Sequence, residues 1–269
     1  MLKLRKRVAY MLQQITPFSI AQFLLQHELF AFNSRTIADL FGLDKFQSTR
    51  LLQRMEREGL VAAVERGKYL LLGLTPERVF SNPLFIGANI ISPAYISFWS
   101  ALHFHGLTEQ VPLTVFVATS RRKPELNFRG TRYKFVTLKS TAFFGYRRET
   151  LDGLPILVAD RAKSILDSLT LPEYAGGITE VAKALRIGLS EVGLDLNELI
   201  EYAVRLKNGS LSSRLGYLLE LLDQPTSGLQ PSRGPVLLDP RQKEHGVFHP
   251  HWKLYVNISR SDLFPEGIA

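Results

Sequence analysis

Two apolar periodicities separated by a glycine constrain the fold of residues 33–61 more than any other feature of the chain. In the first segment Ile37, Leu40 and Phe41 recur at the spacing of one helix face. Gly42 follows where a helix must end and turn, because glycine adopts left-handed backbone angles at little cost. The pattern therefore predicts a short helix that ends in a glycine turn.

The residues after this turn predict a second, longer helix with one apolar face. Asp44 is its expected N-cap, as Ser34 is for the first helix, because both side chains can accept hydrogen bonds from backbone N–H groups. Gly59 is expected to end the second helix. The side chains expected to face the core share the spacing of a helix face and are Ser48, Leu51, Leu52 and Met55.

Two strand-forming segments follow the second helix and are joined by a short basic turn. Residues 60–64 and 69–72 predict the strands of a hairpin, with its tip at residues 66–68. Two helices, a glycine turn and a basic hairpin in this order are typical of a winged helix-turn-helix. We expect this module to occupy residues 1–75, and such modules place their second helix in the major groove of DNA.

The polar side chains of this module are of the kinds that bind DNA. Arginine can bind guanine in a bidentate way and glutamine can bind adenine, whereas lysine and further arginines can neutralise phosphates. A solvated helix face, or a winged helix that binds protein, is the alternative interpretation. The residues expected to contact DNA are Ser34, Arg35, Lys45, Gln47, Thr49, Arg50, Arg54, Arg66 and Lys68.

The positive charge of the chain is concentrated in its first half. The formal net charge is +8. Residues 1–75 hold 11 Lys and Arg against 6 Asp and Glu, and residues 76–150 hold 10 against 4. Residues 151–269 hold 12 against 15. A basic field on the same half as the expected helix-turn-helix favours nucleic-acid binding over a general effect on solubility.

Cysteine is absent, which excludes disulfides, cysteine zinc sites and thiol catalysis. This composition suits a reducing cytoplasm, and we expect a cytoplasmic protein. No apolar run approaches the length of a membrane span, so no membrane association is expected. The basic segment at residues 1–12 is expected to form an amphipathic helix that packs on the DNA-binding module or touches phosphates, rather than a signal peptide.

The rest of the chain predicts an α+β fold, in which the winged helix-turn-helix precedes a mixed α/β domain that ends in a helical region. We expect this domain at residues 84–222 and a Pro/Gly-rich C-terminal extension at residues 223–269. The expected strands cover residues 113–118, 132–138, 143–146 and 154–158, with a late strand at 252–256. The expected helices cover residues 94–102, 160–169, 178–188, 195–206 and 211–222.

A second basic cluster lies in this domain and is interleaved with aromatic residues. One interpretation is a solvated strand face with core aromatics on its reverse. The other is a surface that contacts phosphates or docks an acidic partner. The cluster consists of Arg121, Arg122, Lys123, Arg129, Arg132 and Lys134.

Four segments together resemble one family. They are Ser-Pro-Ala-Tyr-Ile-Ser-Phe-Trp-Ser-Ala-Leu at residues 92–102, His-Gly-Leu-Thr-Glu-Gln at 105–110, Phe-Val-Ala-Thr-Ser-Arg-Arg at 116–122, and the stretch from Gly153 through Asp167 to Gly177. With the expected winged helix they resemble the AbiEi-type antitoxins, the DNA-binding halves of type IV toxin–antitoxin systems.

The resemblance implies a regulator that represses its own operon and counteracts a nucleotidyltransferase-like toxin. Its implied partners are operator DNA, expected to contain an inverted repeat, and a cognate toxin protein. We expect no enzymatic activity and no cofactor. The oligomeric state stays open at this point.

A nucleic-acid-processing enzyme is the alternative function, with the winged helix positioning the substrate. Asp160, Lys163 and Asp167 could form a nuclease-like group, although Asp160 is also placed to cap a helix. Metal binding is not expected. His103 and His105 would point to different faces of a helix, and the remaining candidates, His245, His249 and His251, lie in the Pro/Gly-rich tail.

Overall fold

The computed structural model describes residues 16–242 and 246–265, and it combines helices and strands as an α+β fold requires. The chain divides into two compact units. The first comprises residues 1–92 and 151–154, and the second comprises residues 93–150 and 155–269. The amphipathic helix expected at residues 1–12 and the histidine at position 245 lie outside the described residues.

The first unit consists of helices around a small antiparallel sheet of order β1-β3-β2. Helix α1 and strand β1 were not expected from the sequence. The elements are α1 Pro17–Gln26, β1 Ala31–Asn33, α2 Ser34–Phe41, α3 Lys45–Arg57, β2 Val61–Glu65, β3 Lys68–Leu71, α4 Pro76–Phe80 and α5 Pro83–Ile90.

Local signals set the ends of α2 and α3. Gly42 ends α2 in the left-handed conformation, with φ 64°, as predicted. Asp44 caps α3, also as predicted. The expected cap of α2 was wrong by one residue. The side chain of Asn33, not Ser34, accepts from the N–H of Thr36 at 2.8 Å, because β1 ends at Asn33 and leaves it extended where the helix begins.

The core of the first unit lies between α1, α2, α3 and the sheet. Ser48, Leu52 and Met55 are buried on α3 as predicted, and Leu51 packs against the same core at its edge. The fully buried side chains that form its centre are Ile20, Leu24, Ile37, Leu52 and Met55.

The first unit continues past the expected boundary at residue 75. Phe85 and Ile86 of α5 are buried, and the ring of Phe85 meets that of Phe30 edge to face at 5.2 Å. Residues 76–83, which lie between the first two expected domains, are therefore folded: they contain α4 and the start of α5, and each helix begins at a proline in its first turn.

The second unit is built on a six-stranded mixed sheet of order β6-β7-β5-β4-β9-β8. Helices α6 to α10 pack together beside a small sheet of order β10-β12-β11. The strands are β4 Ala94–Ile96, β5 Thr114–Thr119, β6 Leu126–Phe128, β7 Thr131–Thr137, β8 Tyr146–Leu151, β9 Leu154–Ala159, β10 Val236–Leu237, β11 Val247–His249 and β12 Leu254–Val256. The α-helices are α6 Phe98–Phe104, α7 Arg161–Thr170, α8 Ile178–Ile187, α9 Leu196–Leu206, α10 Gly209–Leu221 and α11 Arg260–Leu263. Shorter turns are the 3₁₀ segments Ser140–Ala142 and Pro172–Tyr174 and the π-helical Gly188–Val192.

Two expectations about the sheet were wrong. Residues 94–96, expected to begin a helix, form β4 in the middle of the sheet, antiparallel to β5 and parallel to β9. All three side chains are buried, and such a short apolar run carries no helix or strand periodicity of its own. Residues 143–146 were expected to be a strand, but the strand there begins only at Tyr146.

The C-terminal tail packs into the second unit. Trp252, Leu254 and Leu263 are buried in one core with the helices. Gly216 on α10 leaves room for the ring of Trp252, because a Cβ at this position would collide with it. The described part of the segment that was expected to be an extension thus contributes to the core of this unit. Within the described ranges, no helix combines the length and the apolar character that crossing a bilayer requires.

Candidate nucleic-acid interface

The pair α2 and α3 presents one face of α3 to solvent. The turn between the helices is held by hydrogen bonds from the N–H groups of Gly42 and Leu43 to the carbonyl of Ala38, the latter at 3.0 Å. Ile37 of α2 and Leu52 of α3 meet in the core. Because α3 buries only one side, its opposite side is free to meet a ligand.

Two of the expected DNA-contacting side chains on α3 already form hydrogen bonds within the helix. Gln47 accepts from the N–H of Asp44 at 3.0 Å, while its own N–H donates to the Asp44 side chain at 2.7 Å. The Thr49 hydroxyl donates to the carbonyl of Lys45 at 2.7 Å. These contacts leave the Gln47 amide donor and the Lys45 ammonium for a ligand.

The expected arginines differ in their partners. Arg54 pairs with Glu58 at 2.8 Å and Arg35 with Asp39 at 3.7 Å, one helical turn away in each case. Within the described residues, Arg50 has no carboxylate partner, and its guanidinium lies over the ring of Phe46, 5.6 Å from the centroid. Arg50 is therefore the arginine of α3 with least competition for its donors.

The turn between β2 and β3 is shorter than expected. Arg66 and Gly67 form it, with Gly67 at φ 72°, whereas Lys68 is the first residue of β3 and pairs with Glu65 at 2.9 Å. The N–H of Ser34 donates to the carbonyl of Gly67 at 3.1 Å. This bond brings the start of α2 and the exposed hairpin tip together on one side of the first unit.

The second basic cluster is not uniformly exposed. Arg121 and Arg122 lie exposed in the loop after β5, and Arg129 lies at the β6–β7 turn with φ 49°. Arg132 and Lys134 on β7 both approach Glu125, at 3.2 and 3.8 Å. Lys123 differs from the expectation, because it is only 9% exposed and its ammonium lies 5.1 Å from the centre of the Phe135 ring. The exposed loop arginines Arg121 and Arg122 are thus the part of this cluster best placed to meet a ligand.

The nuclease-like residues form an internal network instead of an open carboxylate pair. Asp160 caps α7 and accepts from the N–H of Lys163 at 2.8 Å. The fully buried Lys163 ammonium donates to Asp167 and, at 3.1 Å, to the hydroxyl of Tyr95. Ser97 donates to the same Asp167 carboxylate at 2.7 Å. This network joins β4 and the following segment to α7, and it raises the pKa of the Tyr95 hydroxyl well above its ordinary value through burial and the Asp167 charge.

A polar cavity of about 900 Å³ lies beside this network in the second unit. His105, Asp160 and Tyr202 line it, and Tyr202 donates to Asp160 at 3.2 Å. Burial lowers the pKa of His105, whose ring nitrogen lies 2.6 Å from the carbonyl of Ala159. Burial also raises the pKa of Asp160, and it raises that of Tyr202 to about 12. No group of three or more potential metal ligands occurs among the described residues.

One exposed aromatic residue was missed in the sequence. Phe46 is 68% exposed at the second position of α3. The signal was present, because Phe46 does not fall on the apolar spacing of Ser48, Leu52 and Met55 and so had no place in the expected core.

Comparison with known proteins yields a likeness of fold. No family model matches the chain, and no curated protein sequence matches it. Among solved structures, the crystal structure of the RV2827C protein from Mycobacterium tuberculosis is similar, with a TM-score of 0.53. The alignment covers 90% of this chain and 92% of that chain at 13% sequence identity, a level that supports similarity of fold alone.

Proposed function

We propose that the protein is a sequence-specific DNA-binding transcriptional repressor. In this proposal the segment from α2 to β3 is a winged helix-turn-helix, α3 is its recognition helix and the Arg66–Gly67 turn is the tip of its wing. The recognition helix of such a module lies in the major groove, and its N-terminal residues contact base edges. The wing then lies along the sugar–phosphate backbone or the minor groove.

The observation that carries the proposal is the outer face of α3. This face holds Arg50 and Arg57, both exposed, on the side opposite the buried Leu52 and Met55, and Lys45 is exposed beside it at the start of the helix. A capped turn fixes α3 against α2, so its donors project from a rigid element. Rigid placement of arginine donors is what bidentate recognition of base edges requires.

A protein with one recognition helix per chain is expected to contact the operator at more than one region. A single recognition helix reads few base pairs, so such proteins bind symmetric operators as dimers or add contacts from other parts of the chain. We propose an inverted-repeat operator, with the loop that carries Arg121 and Arg122 as the source of added phosphate contacts. The cytoplasm is the corresponding compartment.

The antitoxin role is the finer part of the proposal. It rests on the resemblance of residues 92–177 to AbiEi-type antitoxins. The partner would be a nucleotidyltransferase-like toxin encoded beside this gene. Co-expression of the neighbouring reading frame with and without this protein tests that role. Toxicity that this protein does not relieve would remove the antitoxin role and leave the repressor proposal in place.

DNA titration of the full chain tests the repressor proposal. The expected result is tighter binding to the DNA upstream of its own gene than to a scrambled duplex of the same composition, measured at about 0.15 M salt. Equal affinity for both duplexes would contradict sequence-specific repression. The same duplexes incubated with Mg²⁺ and then resolved on a gel test the alternative function, because cleavage that requires the metal would indicate an enzyme.

A further inference from the structure

An exposed aromatic ring and an arginine stand together on the outer face of α3. Phe46 is 68% exposed, and Arg50 follows one turn later with its guanidinium 5.6 Å from the centre of the ring. A cation over an aromatic face is attracted to it. This contact holds the guanidinium near the start of the helix. The Phe46 ring itself is not packed against the core and stays exposed to solvent.

Both side chains lie where a recognition helix reaches bases. The helix buries Ser48, Leu52 and Met55. At 3.6 residues per turn, positions 46 and 50 fall on the side opposite these residues. They also lie in the N-terminal half of the helix, the half that contacts base edges in a helix-turn-helix.

The two side chains match two different groups of the major groove. Arginine binds the O6 and N7 acceptors of guanine in a bidentate way, and phenylalanine makes apolar contact with the methyl group of thymine. Stacked base pairs are about 3.4 Å apart along the helix axis. The Phe46 ring and the Arg50 guanidinium, 5.6 Å apart on α3, can therefore contact neighbouring base pairs but not distant ones.

We propose that Phe46 and Arg50 act as one reading unit for a thymine next to a guanine in the operator. This inference rests on the proposed DNA-binding function and names the base step that α3 reads. Phe46 determines specificity through the thymine methyl group. Arg50, held over the Phe46 ring, donates to the adjacent guanine.

The first experiment determines which DNA sequence the protein selects. The full chain is used to enrich duplexes from a random DNA pool, and the enriched sequences are aligned. The expected consensus contains a thymine beside a guanine in each half-site. Failure to enrich any sequence would overturn the proposed function together with this inference, whereas a consensus without that step would overturn the inference alone.

The second experiment removes one methyl group from the DNA. The thymine of the step is replaced by uracil, and the affinity of the wild-type chain is expected to fall about fourfold, the value of one buried methyl group. In the Phe46→Ala variant the same replacement is expected to change nothing, because the ring that contacts the methyl group is gone. For each protein the affinity for the thymine duplex is divided by the affinity for the uracil duplex. The difference between the wild-type ratio and the Phe46→Ala ratio measures the contact between the ring and the methyl group.

A matched variant controls for the loss of an exposed ring. Phe18 is 49% exposed on α1, so Phe18→Ala removes an exposed ring from a different helix of the same unit. This variant is expected to keep the wild-type ratio between thymine and uracil duplexes. An equal ratio for wild type and Phe46→Ala would overturn the inference, as would a Phe46→Ala loss that is identical on operator and scrambled DNA.

Discussion

At the scale of single residues, the arginines of α3 are not equivalent. Arg54 is held by Glu58, whereas Arg50 has only the ring of Phe46 beside it. We expect Arg50→Ala to weaken operator binding by about 1–3 kcal/mol and to change binding to scrambled DNA much less. Arg54→Ala removes the same charge from the same helix, and it is expected to weaken operator binding less than Arg50→Ala because Arg54 is already paired with Glu58. A gel-shift titration of both variants on both duplexes measures the difference, and equal losses for Arg50→Ala on the two duplexes would mean that Arg50 contacts phosphate only.

The buried pair Lys163 and Asp167 allows a prediction about stability. Lys163→Met would leave the Asp167 carboxylate buried without its cation, and we expect the free energy of unfolding to fall by about 3–5 kcal/mol. The double variant Lys163→Met with Asp167→Leu is expected to lose less, because no charge is then left unpaired. Urea unfolding followed by tryptophan fluorescence measures both, since Trp99 and Trp252 lie in the second unit.

Lys139→Met is the control for this pair, because Lys139 is exposed in the same unit. Its effect on unfolding is expected to be small, as for most exposed charges. A Lys163→Met variant as stable as Lys139→Met would show that the internal network contributes nothing to the fold.

The identity of the candidate interface residues could be predicted from the sequence, but their availability could not. The apolar spacing of α3 alone predicts that Arg50 and Arg57 lie on the outer face of the helix. Whether a donor is already engaged depends on neighbours in space. Gln47 forms a reciprocal cap with Asp44, and Lys123 is buried against Phe135, and neither follows from helix or strand periodicity.

At the scale of elements, boundaries with a local chemical signal were predicted well. Gly42 and Asp44 mark the end of α2 and the start of α3 because left-handed turns and N-caps each favour particular side chains. The three-residue strands β1, β4, β6 and β11 were missed. A strand this short exists through its partners in the sheet, such as β5 and β9 for β4, and those partners are distant in the sequence.

The hairpin tip is an element whose role can be tested by salt dependence. Arg66 is exposed in the two-residue turn, whereas Lys68 is paired with Glu65. Replacing both by alanine is expected to lower affinity on every duplex and to reduce the slope of log affinity against log salt by about two units at most. Arg66→Ala alone is expected to account for the larger share. An unchanged slope in the double variant would remove the hairpin tip from the interface.

The glycine in the middle of α10 offers a test of how the tail is held. Alanine normally stabilises a helix interior by about 1 kcal/mol relative to glycine. At Gly216 a Cβ would collide with the ring of Trp252, so Gly216→Ala is expected to destabilise the second unit by about 1–3 kcal/mol instead. Gly234→Ala, which adds a methyl group in open space, is the control. A stabilised Gly216→Ala variant would show that Trp252 does not pack there.

At the scale of the whole molecule, amino-acid composition did not indicate that the C-terminal tail packs into the core of the second unit. The Pro/Gly-rich content of residues 223–269 suggested an extension, yet its apolar side chains complete the core of the second unit. A tail of this composition gives little periodicity, so only long-range packing reveals where it belongs. The α+β class, by contrast, followed from a mixture of helical and strand periodicities along the chain.

Two exposed arginines, Arg121 and Arg122, lie in the loop after β5 of the second unit. If the loop after β5 adds phosphate contacts, reversing Arg121 and Arg122 to glutamate should lower the affinity for operator DNA and reduce its salt dependence by about two units of slope. Both side chains are exposed, so the fold should be unaffected, which circular dichroism checks. Lys123 is left unchanged, because it is buried and its reversal would place a charge against Phe135.

The matched control reverses Lys139 and Lys207, two exposed lysines of the same unit. It changes the net charge by the same amount, so any general loss of attraction to DNA appears equally in both variants. A larger loss for Arg121→Glu with Arg122→Glu assigns the β5 loop to the DNA interface. Equal losses would mean that the loop acts only through the overall field of the protein, and the operator would then have to be read by the first unit without contacts from this loop.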